Sequence, residues 1–179
     1  MFTLMARFLV RLMAIALGLA LLLLGCQPGR LQSNEVVVGS GDPTQEATLA
    51  WEALVTFFDK LAAGRYAEAV DYYGGEYDIL VGWNPDVAPN DYATLWRNGC
   101  SINGLNCLAT RSVAAGGITS NEEYLFSVEF STREGEQFVL GPCCGVTETE
   151  QPPRTFFDIR VSRGEDGRYR VIDLPPYTP

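Results

Sequence analysis

Near Leu108 the hydrophobic pattern changes from a helical period to strict alternation, and that switch limits the folds open to this chain more than any other feature. Before it, Asp42-Pro43-Thr44-Gln45 reads as a helix start, with a capping acid, proline at the first helical position and Gln three residues after the cap. Ala50, Leu54, Phe57, Phe58 and Leu61 then share one face, and Gly64 is the expected stop. A second helix is expected over residues 65–73, with Tyr66, Ala69, Val70 and Tyr73 on one side and Gly74-Gly75 at its end. Residues 76–83 read as a short strand, Asn84-Pro85-Asp86 as a turn, and residues 90–97 as a third helix that directs Tyr92, Leu95 and Trp96 inward.

After the switch, Tyr124, Phe126, Val128 and Phe130 alternate with Leu125, Ser127, Glu129 and Ser131. Phe157, Ile159 and Val161 alternate with Asp158, Arg160 and Ser162 in the same way. Glu134-Gly135 is expected to turn into a strand over residues 137–140, and Asp166-Gly167 to make a hairpin into residues 169–174. Gly39-Ser40-Gly41 and Gly116-Gly117 read as linker or turn, since neither has the strand-to-helix setting of a phosphate loop. Helices first and antiparallel strands afterwards predict an α+β domain over residues 42–179, its N-terminal helices packed on one face of a curved, cone-like sheet.

The first 25 residues have the character of a secretory leader: Arg7 and Arg11 without an acid, then an apolar run from Leu12 to Leu24 closed by Gly25 and Cys26. That run is shorter than the roughly 20 residues a stable membrane-crossing helix needs, so export and cleavage are expected. Leu23-Leu24-Gly25-Cys26 resembles the bacterial lipobox, departing from its usual pattern in having Leu24 where a small residue is preferred. The resemblance implies that Cys26 is acylated and becomes the mature N-terminus, its acyl chains holding the protein on the extracytoplasmic side of a bacterial membrane. Residues 26–41 then form the lipidated Cys and a polar tether, spanning roughly 20 Å as a flexible coil, with Val36-Val37-Val38 as an alternative edge strand.

Charge and composition narrow the function. The chain is 47% hydrophobic and 20% charged, too apolar to stay disordered. Its net charge is −9, and losing the leader's two arginines leaves −11, which opposes binding to nucleic acid or anionic headgroups. There is no histidine, so Ser-His-Asp triads, Cys-His dyads, His-containing zinc sites and His-ligated haem are all impossible. No GxSxG, phosphate-loop or dinucleotide motif occurs, and no cofactor is expected.

The order of elements, together with the stretch from Trp51 through Phe57-Phe58, Gly64-Arg65-Tyr66-Ala67 and Ala69-Val70, resembles the nuclear transport factor 2-like superfamily. The resemblance implies a cone-shaped fold with a pocket between helices and sheet, a scaffold that carries isomerases, dehydratases and cyclases as well as non-catalytic binding modules. This chain departs from that pattern in the Cys-bearing insertion between Trp96 and Leu108 and in Gly141-Pro142-Cys143-Cys144-Gly145. By analogy with catalytic relatives, Asp71, Asp78 and Tyr73 are the candidate acid and enolate-stabilising groups of an isomerase-like or dehydratase-like site. The leading expectation is a non-enzymatic envelope module that presents a pocket or sheet face to a small apolar ligand or another envelope protein. A mechanical or assembly role is a third.

Cys100, Cys107, Cys143 and Cys144 make an even set, and in an exported chain disulfides are the default. Bridging adjacent Cys143 and Cys144 needs a strained eight-membered ring, so two bridges from the 100/107 loop to the 143/144 turn are expected. Each would close roughly 40 residues, worth about 4 kcal/mol for the first. A redox-active vicinal pair and a four-thiolate metal site are the rival readings.

Overall fold

The computed structural model describes residues 45–179. The leader, the Leu23-Leu24-Gly25-Cys26 motif, the tether and the Asp42-Pro43-Thr44 cap lie outside the described residues. The first helix, α1 (Gln45–Ala62), buries Ala50, Ala53, Leu54, Phe57, Phe58 and Leu61 along one stripe, with Glu46 in its first turn and Lys60 in its last, as the helix dipole favours. Its end is a Schellman cap: Gly64, at φ 70°, donates to the Leu61 carbonyl at 3.0 Å, and Arg65 to the Lys60 carbonyl at 2.8 Å.

The expected second helix is present as two short pieces, α2 (Tyr66–Ala69) and a 3₁₀ turn at Val70–Tyr72. The expected strand over residues 76–83 is instead a helix, α3 (Asp78–Trp83). A run such as Ile79-Leu80-Val81 does not distinguish a short strand from a short helix. The position beside the last strand is also taken, because Tyr73 bridges to Val171 in parallel and the Gly74 amide donates to the Val171 carbonyl at 2.8 Å. The chain leaves the sheet at Gly75, where a Cβ would collide with the Ile172 carbonyl.

The turn at Asn84 closes as expected, with the Val87 amide donating to the Asn84 carbonyl at 3.0 Å. Helix α4 (Tyr92–Ser101) follows, capped by Asp91, whose carboxylate accepts from the Thr94 amide at 3.2 Å. Asn84 ties the two helices together. Its amide nitrogen donates to the Leu80 carbonyl at 2.7 Å and to Asn103 Oδ1 at 3.2 Å, while Asn98 donates to Asn84 Oδ1 at 2.8 Å.

Four antiparallel strands form a meander in the order β1 (Ala109–Ile118), β2 (Tyr124–Ser131), β3 (Phe157–Arg163) and β4 (Tyr169–Val171). Register pairs Val113 with Val128, Phe126 with Ile159, Val128 with Phe157, and Val161 with Val171, so the inward faces coincide and lie against α1. On the outer face Arg160 forks onto Asp173, Nη2 to Oδ1 at 2.7 Å and Nε to Oδ2 at 3.1 Å.

Gly116-Gly117, expected as a turn, lies inside β1 at a register shift between Ala115 and Gly117, with Gly117 at φ 112°. These glycines accommodate a bulge. Residues 137–140 contribute only the isolated bridges Ser131 to Gln137 and Leu140 to Arg154. The architecture is therefore α+β, with helices over one face of a four-stranded antiparallel sheet.

Candidate functional site

The space between helices and sheet is where the resemblance puts a pocket, and side chains occupy it. Leu54, Phe57, Phe58, Leu61, Leu80, Leu95, Trp96 and Phe130 each retain about 0–1% of their surface. Phe58 meets Phe130 across the layers edge to face at 4.8 Å, and Phe57 stacks on Tyr73 at 5.8 Å while abutting Trp96 at 5.4 Å. The polar tips in this cluster find partners within the fold: Trp96 Nε1 donates to Tyr77 Oη at 3.2 Å, and Tyr73 Oη donates to the Glu76 carbonyl at 3.1 Å.

Asp71, Asp78 and Tyr73 do not converge. Asp71 is exposed on the 3₁₀ turn, where its carbonyl accepts from Arg170 Nε at 3.2 Å, and Asp78 is exposed in the first turn of α3. Tyr73 points the other way, into the core, with its hydroxyl committed to Glu76. An acid that takes a proton from carbon and a Tyr that stabilises the resulting enolate oxygen must both reach one bound substrate, which this placement does not provide.

Burial pushes the Tyr73 hydroxyl well above the ordinary tyrosine range, with Tyr77, Asp173 and Glu76 adding to the shift. Burial likewise pushes Tyr77 up to about 12, partly offset by the Trp96 hydrogen bond. Both folded values exceed the unfolded value of 10.0, so the stability held by the neutral hydroxyls is complete below that pH and is lost as pH climbs through the folded values. Alkaline titration followed by phenolate absorbance should show these two ionising last, in step with loss of near-ultraviolet dichroism between pH 10 and about 12. Ionisation of all tyrosines near pH 10 with the fold intact would contradict this environment.

The cysteines depart from the expected connectivity. Cys100 bonds Cys107, with their Cα atoms 5.4 Å apart, and neither joins Cys143 or Cys144. The reason is local. Cys100 sits in the last turn of α4, the chain reverses at Gly104 (φ 84°), and the Leu105 amide donates back to the Gly99 carbonyl at 3.0 Å, which returns Cys107 to the helix end. Closing so short a loop is worth about 2.5 kcal/mol, less than the long bridges expected above. Cys143 and Cys144 remain thiols with Sγ atoms 2.7 Å apart, and their shared contact, with some desolvation, holds the Cys143 thiol above its usual range. No group of three or more Cys, Asp or Glu able to hold a metal occurs among the described residues, so the four-thiolate reading finds no geometry here.

Concavities open to solvent remain. One of about 450 Å³ lies between α1 and the β3–β4 hairpin, floored by Leu49, Ala53, Tyr72 and Tyr169 with Glu52 and Arg168 at its rim. Another of about 360 Å³ lies beside the Cys100–Cys107 bond, walled by Leu61, Tyr66, Leu105 and Phe138 with Arg133 and Glu134 above. These clefts join residues from both halves of the chain, and periodicity within either half carries no sign of them. No protein family, curated protein or solved structure matches this chain.

Proposed function

We propose that this protein is a lipid-anchored, extracytoplasmic envelope protein whose nuclear transport factor 2-like domain is a non-enzymatic binding or structural module. The observation that carries the non-enzymatic part is the packed interior: where a catalytic relative needs a cavity, this chain has Phe57, Phe58, Trp96 and Phe130 in contact with one another or with α1. Recognition of an envelope protein or a small apolar ligand then falls to the exterior, at grooves such as the one bounded by Leu49 and Tyr169. The Cys100–Cys107 bond favours an oxidising compartment, and the acidic surface disfavours nucleic acid. Attachment is through acyl chains on Cys26, for which the motif Leu23-Leu24-Gly25-Cys26 is the ground.

The test is fatty-acid labelling of the full chain in a bacterial host, followed by membrane fractionation. Wild type should take up label and sediment with membranes. Cys26→Ala should take up none and lose the cleaved, lipid-bearing start. Equal labelling and equally firm membrane retention in the variant would overturn the anchoring.

A further inference from the structure

Cys143 and Cys144 lie in the connection between β2 and β3, just after Gly141-Pro142. The Val146 amide donates to the Cys143 carbonyl at 3.2 Å, and the two central residues, Cys144 (φ 63°) and Gly145 (φ 83°), are both left-handed, as in a type I′ turn. Gly145 adopts this conformation freely. Cys144 does not, and residues with a Cβ are rare there. Neighbouring contacts brace the turn: the Cys143 amide donates to Gln151 Oε1 at 3.3 Å, and Glu150 accepts from both the Thr147 amide (2.9 Å) and the Thr147 hydroxyl (3.0 Å).

Within this turn the two sulfurs stand 2.7 Å apart, closer than unbonded sulfurs settle and beyond the ~2.05 Å of a disulfide. Cys144 is exposed and Cys143 half-buried, so a dissolved reagent reaches the pair. Soft-metal chelation is the other chemistry open to adjacent thiols. Among the described residues no third ligand joins them, which favours sulfur–sulfur chemistry.

We propose that Cys143 and Cys144 form a reversible vicinal disulfide, making this turn a thiol–disulfide exchange site for small-molecule disulfides and thiols. In the forward direction one cysteine thiolate attacks a sulfur of the small disulfide, expelling one small thiolate and forming a mixed disulfide. The neighbouring thiolate then attacks the protein sulfur of that mixed bond and expels the second small thiolate. The two protons leaving the cysteines end on the two released thiols, and the two electrons lost by the cysteine pair reduce the small disulfide. An eight-membered ring departs from relaxed disulfide geometry and is correspondingly easy to reduce, so this bond opens under conditions that leave Cys100–Cys107 closed. The proposal does not depend on lipidation or on the nature of the domain's partner.

Trypsin separates the two pairs. Cleavage after Arg133 and Arg154 releases residues 134–154 with Cys143 and Cys144, and cleavage after Arg97 and Arg111 releases residues 98–111 with Cys100 and Cys107. The full chain in detergent is equilibrated with mixtures of reduced and oxidised glutathione, acid-quenched, alkylated with N-ethylmaleimide and digested for mass spectrometry. In oxidising mixtures the 134–154 peptide should be unalkylated and two hydrogens lighter than the dithiol. In reducing mixtures it should carry two maleimides, while the 98–111 peptide stays unalkylated throughout. Cys144→Ser should instead accumulate glutathione on Cys143 under oxidising conditions, because the second displacement is lost. Three results would each overturn the proposal: two maleimides on wild-type 134–154 at every ratio, stable glutathione adducts on it, or a cross-link to 98–111.

Discussion

Phe57→Ala is expected to lower the free energy of unfolding by about 3–5 kcal/mol, the range for truncating a fully buried aromatic. Phe57 has no exposed surface, and its ring touches Phe58, Tyr73 and Trp96 at centroid distances of 5.1, 5.8 and 5.4 Å, so its removal strips contacts from three aromatic side chains at once. A loss of that size is a large part of the roughly 5–15 kcal/mol that holds a typical domain folded. Urea unfolding followed by tryptophan fluorescence measures it. A cost below about 1 kcal/mol would mean that the space between helices and sheet tolerates a void, and the case for a packed interior would fail.

Asn84→Leu should cost on the order of 2–3 kcal/mol even though it makes the position more apolar. Asn84 is the buried polar residue among the described residues, and one amide serves three partners: the Leu80 carbonyl, Asn103 and Asn98. A leucine strands those groups where water reaches them poorly, and it also severs the link between α3 and α4. Hydrogen exchange gives the sharper readout, since amides of residues 78–83 and 92–101 should lose protection more than those of β2 and β3. Uniform loss across the sheet would indicate a general packing defect instead.

How much could be read beforehand depended on whether a signal was local. The face of α1, its glycine stop and the inward alternation of β2 and β3 are all written in consecutive residues, and each appears in the fold where periodicity puts it. Residues 76–83 went astray because Ile79-Leu80-Val81 suits either state, and the choice was made by Tyr73 occupying the sheet edge about a hundred residues away from its partner Val171. Gly116-Gly117 has the composition of a turn, yet pairing with Leu125 keeps it in a strand as a bulge. The cysteine pairing failed for a related reason: spacing alone does not say that Gly104 reverses the chain and returns Cys107 to Cys100. Asn84 was legible only as part of an Asn-Pro turn, and its three-way role needed α4 in place. For Asp71, Asp78 and Tyr73, proximity in sequence did not survive folding, because the 3₁₀ turn and Gly74-Gly75 direct the acids outward and the phenol inward.

The Cys100–Cys107 bond closes a ring contained within one helix end and the loop after it. A chain that meets an oxidant while still emerging, N-terminal residues first, therefore has both of these sulfurs available before the later pair has appeared. Cys143 and Cys144 are then not yet present as competing partners, so the order of synthesis favours the short bond over a long one to the later pair. On the vicinal disulfide proposed above, Cys143 and Cys144 are then left to pair with each other when they arrive.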